Sequence, residues 1–188
     1  MSRLPLFPLG LVAFPEEKLN LHIFEPRYKQ LVLECHANNT AFGIPPVVES
    51  KPISVGTAMR ITEVSHIYPD GKMDIKSIGI EKFYLNEFFA IAEEKLFPEG
   101  EVDMIVDVGA TDIVIQSRVV SLIEQLYTIM KMDIPVPEVS NDFKIYSVAH
   151  KIGLNMEQEI ELLKTHTEIR RLEFVENHLV GFIPVVLE

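Results

Sequence analysis

Cysteine occurs once in this sequence, at Cys35, so the chain can form no internal disulfide and build no thiolate metal site. A lone thiol fits a reducing compartment, and the cytoplasm is the expected location. Cys35 falls at helical spacing from Tyr28, Leu31 and Val32, which predicts a packing role rather than a nucleophile. No apolar run approaches the roughly 20 residues that a membrane helix requires. The apolar N-terminus is interrupted by Pro5, Pro8 and Pro15 and is followed by no small-residue cleavage site, so it does not read as a signal peptide.

Positive charge is scarce as well. Lys and Arg total 17 against 28 Asp and Glu, a net charge of −11, and a field of that sign repels nucleic acid and anionic lipid. Neither is expected as a partner. The chain has no G-x-x-x-x-G-K-[ST] loop to cradle phosphates. It has no G-x-S-x-G elbow. Histidines stand at 22, 36, 66, 150, 166 and 178, with no pair at the i, i+4 spacing of a metal-binding helix. No catalytic residue, metal ligand or cofactor is expected.

What is present is 188 residues, 47% of them hydrophobic, enough to bury a substantial core. Leu4 to Leu9 reads as an edge strand, since Pro5 and Pro8 cannot donate to a ladder. Leu19, Leu21 and Ile23 alternate with Asn20, His22 and Phe24, the period of a two-faced strand. Pro26 suits a first helical turn, Tyr28, Leu31, Val32 and Cys35 follow as its apolar stripe, and Asn38-Asn39 ends it. Thr40 to Ile44 reads as a short strand, with an irregular segment after it around Pro45, Pro46 and Pro52.

Asp70-Gly71 between Val55–Val64 and Met73–Leu85 predicts a hairpin, and Gly79 predicts a bulge or a close backbone approach in its second arm. Further strands are expected over Phe89–Leu96 and Glu101–Val108, with Pro98-Glu99-Gly100 as the turn. Past Gly109 the period changes to that of helices. Ile113 onward forms one until Pro135, a second carries Phe143, Tyr146, Ala149 and Ile152 and is closed by Gly153, a third is capped by Asn155, and a fourth begins near Thr165 or Thr167. The apolar tail Leu179–Leu187 must pack somewhere, within this chain or as an added strand in a partner.

The blocks Leu4-Pro5-Leu6-Phe7-Pro8-Leu9 and Leu21-His22-Ile23-Phe24-Glu25-Pro26-Arg27-Tyr28 resemble the N-terminal substrate-binding domain of ATP-dependent Lon proteases, which also occurs as a free-standing protein. The resemblance continues through Val55-Gly56-Thr57, Ile61-Thr62-Glu63-Val64, Pro69-Asp70-Gly71-Lys72 and Gly79 to Phe83. In the helical half it continues at Ser147, Ala149, Gly153, Leu162-Leu163 and Arg171-Leu172. Between Phe88 and Asp112 the sequence departs from the family pattern. The resemblance implies an α+β fold, a PUA-like β pseudobarrel over 1–110 followed by a C-terminal bundle of about four helices over 111–188.

It also implies a non-enzymatic module that recognises unfolded or damaged proteins or peptides in protein quality control. In Lon proteases the ATPase and peptidase chemistry lies in later domains, and a Ser-Lys peptidase pair is not expected here. The candidate residues are Glu25, Arg27, Tyr28, Phe24 and His22, which either contact a partner or pin the first helix to the barrel. Two alternatives are an RNA-binding PUA-like protein and a small-molecule-binding domain. Homodimerisation through the C-terminal tail is a further expectation.

Overall fold

The computed structural model describes residues 2–107 and 111–186. The chain divides into two compact units, Met1–Val106 and Asp107–Glu188, against the expected division after residue 110. The fold is mixed α/β, with an antiparallel sheet in the first unit and helices in both. Val108, Gly109 and Leu187, which figure in the expectations above, lie outside the described residues.

The first unit runs β1 (Ser2–Pro5), β2 (Lys18–Ile23), α1 (Pro26–Asn38), β3 (Phe42–Ile44), β4 (Val47–Val48), β5 (Lys51–Pro52), β6 (Val55–Ile67), β7 (Met73–Phe89) and β8 (Glu99–Ile105). The main sheet is ordered β1-β8-β7-β6-β3, with β2 also on β7. The edge segment is shorter than its sequence suggests. Ladder pairing with β8 ends at Pro5, and the chain then crosses to the other end of the sheet, where Leu6 bridges Gly43 and Leu9 bridges Pro46 in parallel. Pro8 sits between those bridges, at a position that needs no donor. The two ends of the strand order are thereby joined.

Pro26 opens α1 and a left-handed Asn39 closes it, its N–H directed to the Cys35 and His36 carbonyls. The buried stripe is Tyr28, Leu31, Val32 and Cys35. It packs with Phe7, Phe42 and Ile75 in the larger core cluster, and burial raises the pKa of the Cys35 thiol.

The β6–β7 hairpin closes through Tyr68 and Lys72, with Gly71 at φ 76, a conformation that glycine adopts without strain. Gly79 serves in both of the expected ways. The register with β6 shifts from Ala58↔Glu81 to Met59↔Gly79, leaving Ile80 as the extra residue. A Cβ on Gly79 would also collide with the Phe14 carbonyl, because the 14–17 segment exchanges hydrogen bonds with the Gly79 N–H and C=O.

Two expectations fail here. Phe89–Leu96 is not a strand: β7 continues to Phe89, and a turn follows in which Ala92 donates to Phe97 and Lys95 to Ala92. Pro98-Glu99-Gly100 is not a turn, since Glu99 and Gly100 open β8 and pair with Phe89 and Phe88. The segment expected to be irregular also contains the β4–β5 pair. Its two connecting residues, Glu49 and Ser50, both have positive φ, and nothing in a Glu-Ser dipeptide signals such a turn.

The second unit holds α2 (Ile113–Ile129), a 3-10 helix (Ile145–Lys151), α3 (Met156–Lys164) and α4 (Glu168–Val186). Asp112 caps α2 through Val114 and Ile115 N–H, and Asn155 with Gln158 forms a capping box on α3. The second helix is 3-10 and shorter than expected, with Phe143 and Ile152 outside it. Within it Ile145 and Val148, and Tyr146 and Ala149, are buried three residues apart, the period at which a 3-10 helix aligns its side chains. Among the described residues the C-terminal tail adds no strand. Its described part is the end of α4, which buries Leu179 and Ile183 and exposes Val180 and Val185.

Candidate functional site

β2 alternates Lys18, Asn20 and His22 outward with Leu19, Leu21 and Ile23 inward, and only Ile23 is fully buried. Register places His22 opposite Asp74 on β7. His22 Nδ1 lies 2.6 Å from Asp74 Oδ1, and the Tyr68 hydroxyl donates to Asp74 Oδ2 at 2.7 Å. The His22 hydrogen bond, then that of Tyr68, holds the Asp74 carboxyl below the usual carboxylate range. The same bond from the other side raises the pKa of the Tyr68 hydroxyl.

The rings continue on both sides of this pair. His66 stands edge-on to Tyr68 at 4.3 Å, and His22 lies over Phe24 at 6.3 Å. Phe24 is 57% exposed and Tyr68 37%. Together they form a strip of exposed rings across β2 and the hairpin end, with shallow hollows of about 350 Å3 beside Asn20 and Ser65 and about 390 Å3 beside Pro69 and Lys72.

The helix start flanks the strip. Arg27 donates to Glu25 Oε2 from Nε at 2.9 Å and from its terminal nitrogen at 2.8 Å, and its guanidinium covers the Tyr28 ring at 4.4 Å. Tyr28 itself is buried and stacked on Phe7 at 3.9 Å. Lys29 Nζ donates to the Asp70 carbonyl at 3.2 Å, tying α1 to the hairpin turn.

Of the five residues singled out from sequence, the structure thus gathers His22 and Phe24 with the hairpin, sets the Glu25–Arg27 pair beside them, and puts Tyr28 in the core. Asp74, Tyr68 and His66 were missed. The hairpin signal at Asp70-Gly71 located their turn, but only the β2–β7 register reveals which of them meet His22.

A second concavity, about 680 Å3, was also missed. It is lined by Arg3, Glu34, Phe89, Ile91, Ala92, Phe97 and neighbours. Arg3 bridges Glu99 at 2.8 Å and Glu101 at 3.1 Å while its guanidinium covers Phe89 at 4.1 Å. No sequence signal joins Arg3 to residues nearly a hundred positions away, because the contact depends on β1–β8 pairing.

No cluster among the described residues could ligate a metal ion. What both surfaces can offer is apolar contact with polar rims, the chemistry of macromolecular contact surfaces. No described helix is long and apolar enough to cross a membrane.

Solved structures with this fold include a Lon N-terminal domain protein from Xanthomonas campestris, 22% identical, with a TM-score of 0.71 over 97% of this chain and 99% of that one. The N-terminal domain of Mycobacterium avium complex Lon protease is 14% identical, with a TM-score of 0.68 over 95% and 98%. At these identities the likeness concerns the fold. The family described as the ATP-dependent protease La (Lon) substrate-binding domain matches residues 3–181, nearly the whole chain, and the match includes no catalytic domain. The chain belongs to the Lon substrate-binding domain family.

Proposed function

We propose that this chain is a non-catalytic polypeptide-binding module of protein quality control in the cytoplasm, and that the ring strip around His22 holds exposed apolar segments of unfolded or damaged proteins. The observation that carries the proposal is the exposure of Phe24 and Tyr68 around a hydrogen-bonded His22–Asp74 pair. Rings with polar tips make large contacts at low entropic cost. Family membership supports the same reading, since the family is defined by substrate binding. The joined sheet of the first unit is read as a PUA-like pseudobarrel that presents the strip on its hairpin end.

RNA binding is less favoured on this surface. Arg27 and Lys72 are paired with Glu25 and Asp70, which leaves little free positive charge for phosphate. A homodimer through Val180 and Val185 on α4 is a further proposal, which sedimentation would test.

The main test is affinity for a permanently unfolded protein. Phe24→Ser removes an exposed side chain, so the melting temperature should hold while binding weakens roughly tenfold. Unchanged affinity in this variant would refute the assignment of the strip.

A further inference from the structure

The cleft beside Arg3 shares no lining residue with the hollows of the ring strip. Its lining is mixed and more polar than apolar; beneath it Phe97 and Ala92 are buried and Phe89 is half-buried under the Arg3 guanidinium. Ile91 stands 71% exposed in its lining, and Leu96, on the same turn, is 59% exposed. Two large aliphatic side chains presented to water on one short turn form contact surface that nothing in this unit covers.

The charge around this cleft is unbalanced. Both cations of the lining are already committed: Arg3 to Glu99 and Glu101, and Lys95 to Glu34 at 2.8 Å. Glu93 lines the cleft, Glu94 follows it, and both are exposed with no cation paired to either among the described residues. A ligand that covers Ile91 therefore meets negative charge. Anionic groups are repelled there, and cations find carboxylates not yet engaged.

We propose that this cleft binds an extended polypeptide segment in which an apolar side chain lies next to a lysine or arginine. The apolar side chain covers Ile91 above Phe89 and Phe97, and the cation faces Glu93 and Glu94. This rests on the reading of the chain as a polypeptide-binding module and adds to it a second contact with a charge preference of its own.

The test uses the full chain and short fluorescent peptides of equal length: one alternating Phe with Lys, one Phe with Glu, and one Ser with Lys. Anisotropy should show binding of the Phe/Lys peptide, weakened by added salt, and much weaker binding of the other two. Ile91→Ser should weaken it roughly tenfold, and Glu93→Lys up to about fivefold. Both positions are exposed, so each variant should melt like the parent. Val114→Ser, 66% exposed on α2 and part of neither surface, should leave this peptide's affinity unchanged.

Equal affinity of the parent, Ile91→Ser and Glu93→Lys would overturn the cleft proposal. If Phe24→Ser alone then abolished peptide binding, the polypeptide-binding reading would stand without the cleft. Binding of no peptide and no unfolded protein by the parent would remove both. Self-association abolished by Ile91→Ser would mean that a second copy occupies the cleft, which also overturns the proposal.

Discussion

Two Glu–Arg pairs stand near helix starts in this protein, and they have opposite consequences. At α1, Glu25 and Arg27 bond to each other in water, with side chains 38% and 47% exposed. At α4, Glu168 and Arg171 bond at 2.8 Å with both side chains 3% exposed. The buried pair is fully engaged. Arg171 also donates to the Tyr146 hydroxyl at 3.1 Å and to the Thr165 carbonyl at 2.7 Å, and pairs with Asp107 at 2.9 Å, while Glu168 accepts the Ile145 N–H at 2.7 Å. The same two residue types hold a unit together in one place and leave a surface available in the other. Burial makes the difference, because a buried charge that loses its partner stays unsolvated.

The strongest way to break this comparison is Arg171→Ala. It leaves Glu168 buried without its cation and should cost about 3–5 kcal/mol, read as a large drop in the denaturant midpoint. Arg27→Ala should cost at most about 1 kcal/mol. Equal effects would mean that burial is not what separates the two pairs.

Next in size is Gly79→Ala. The added Cβ meets backbone rather than a movable side chain, and a loss of about 1–3 kcal/mol is expected. The same change at Gly10, where a Cβ would meet nothing within 4 Å, should be nearly silent.

Alkali should then reveal the buried network. Burial pushes the Tyr146 hydroxyl well above its ordinary value, so the folded protein keeps this proton when the unfolded chain has lost it. Stability from this group is intact below about pH 10, the unfolded value, and declines as pH rises toward the higher folded value. Tyr146→Phe should flatten that decline in an alkaline melting series.

Acid gives the smallest effect, at the ring strip. Asp74 has a lowered pKa, so its contribution is present above the unfolded value of about 3.9 and is lost as pH falls through the lower folded value. Asp74→Asn should remove this shallow acid dependence, which hydrogen exchange at the hairpin end below pH 4 would detect.

Sequence made the first unit legible wherever local chemistry was decisive. Pro26 and Asn39 bound α1, Asp70-Gly71 marked the hairpin, and Gly79 marked a bulge or close backbone approach, though not that residues 14–17 make it. It failed where pairing over a long range decided the outcome. The acidic 93–94 turn interrupts what looked like a strand from Phe89, and Pro98-Glu99-Gly100 reads as a turn until β1 and β7 are seen on either side of it. The candidate site was half legible for the same reason. His22 and Phe24 announced themselves in an alternating strand, whereas Asp74, Tyr68 and His66 became their neighbours only through register. Tyr28, three residues inside the helix, follows the core stripe and not the site.

The account's central claim is that the β2–α1 junction and the hairpin end bind unfolded polypeptide. Hydrogen–deuterium exchange of the full chain, with and without a permanently unfolded protein, tests it most directly. The account predicts added protection at residues 22–27 and 65–74, with α3 unchanged. Binding that left both stretches unprotected would contradict it.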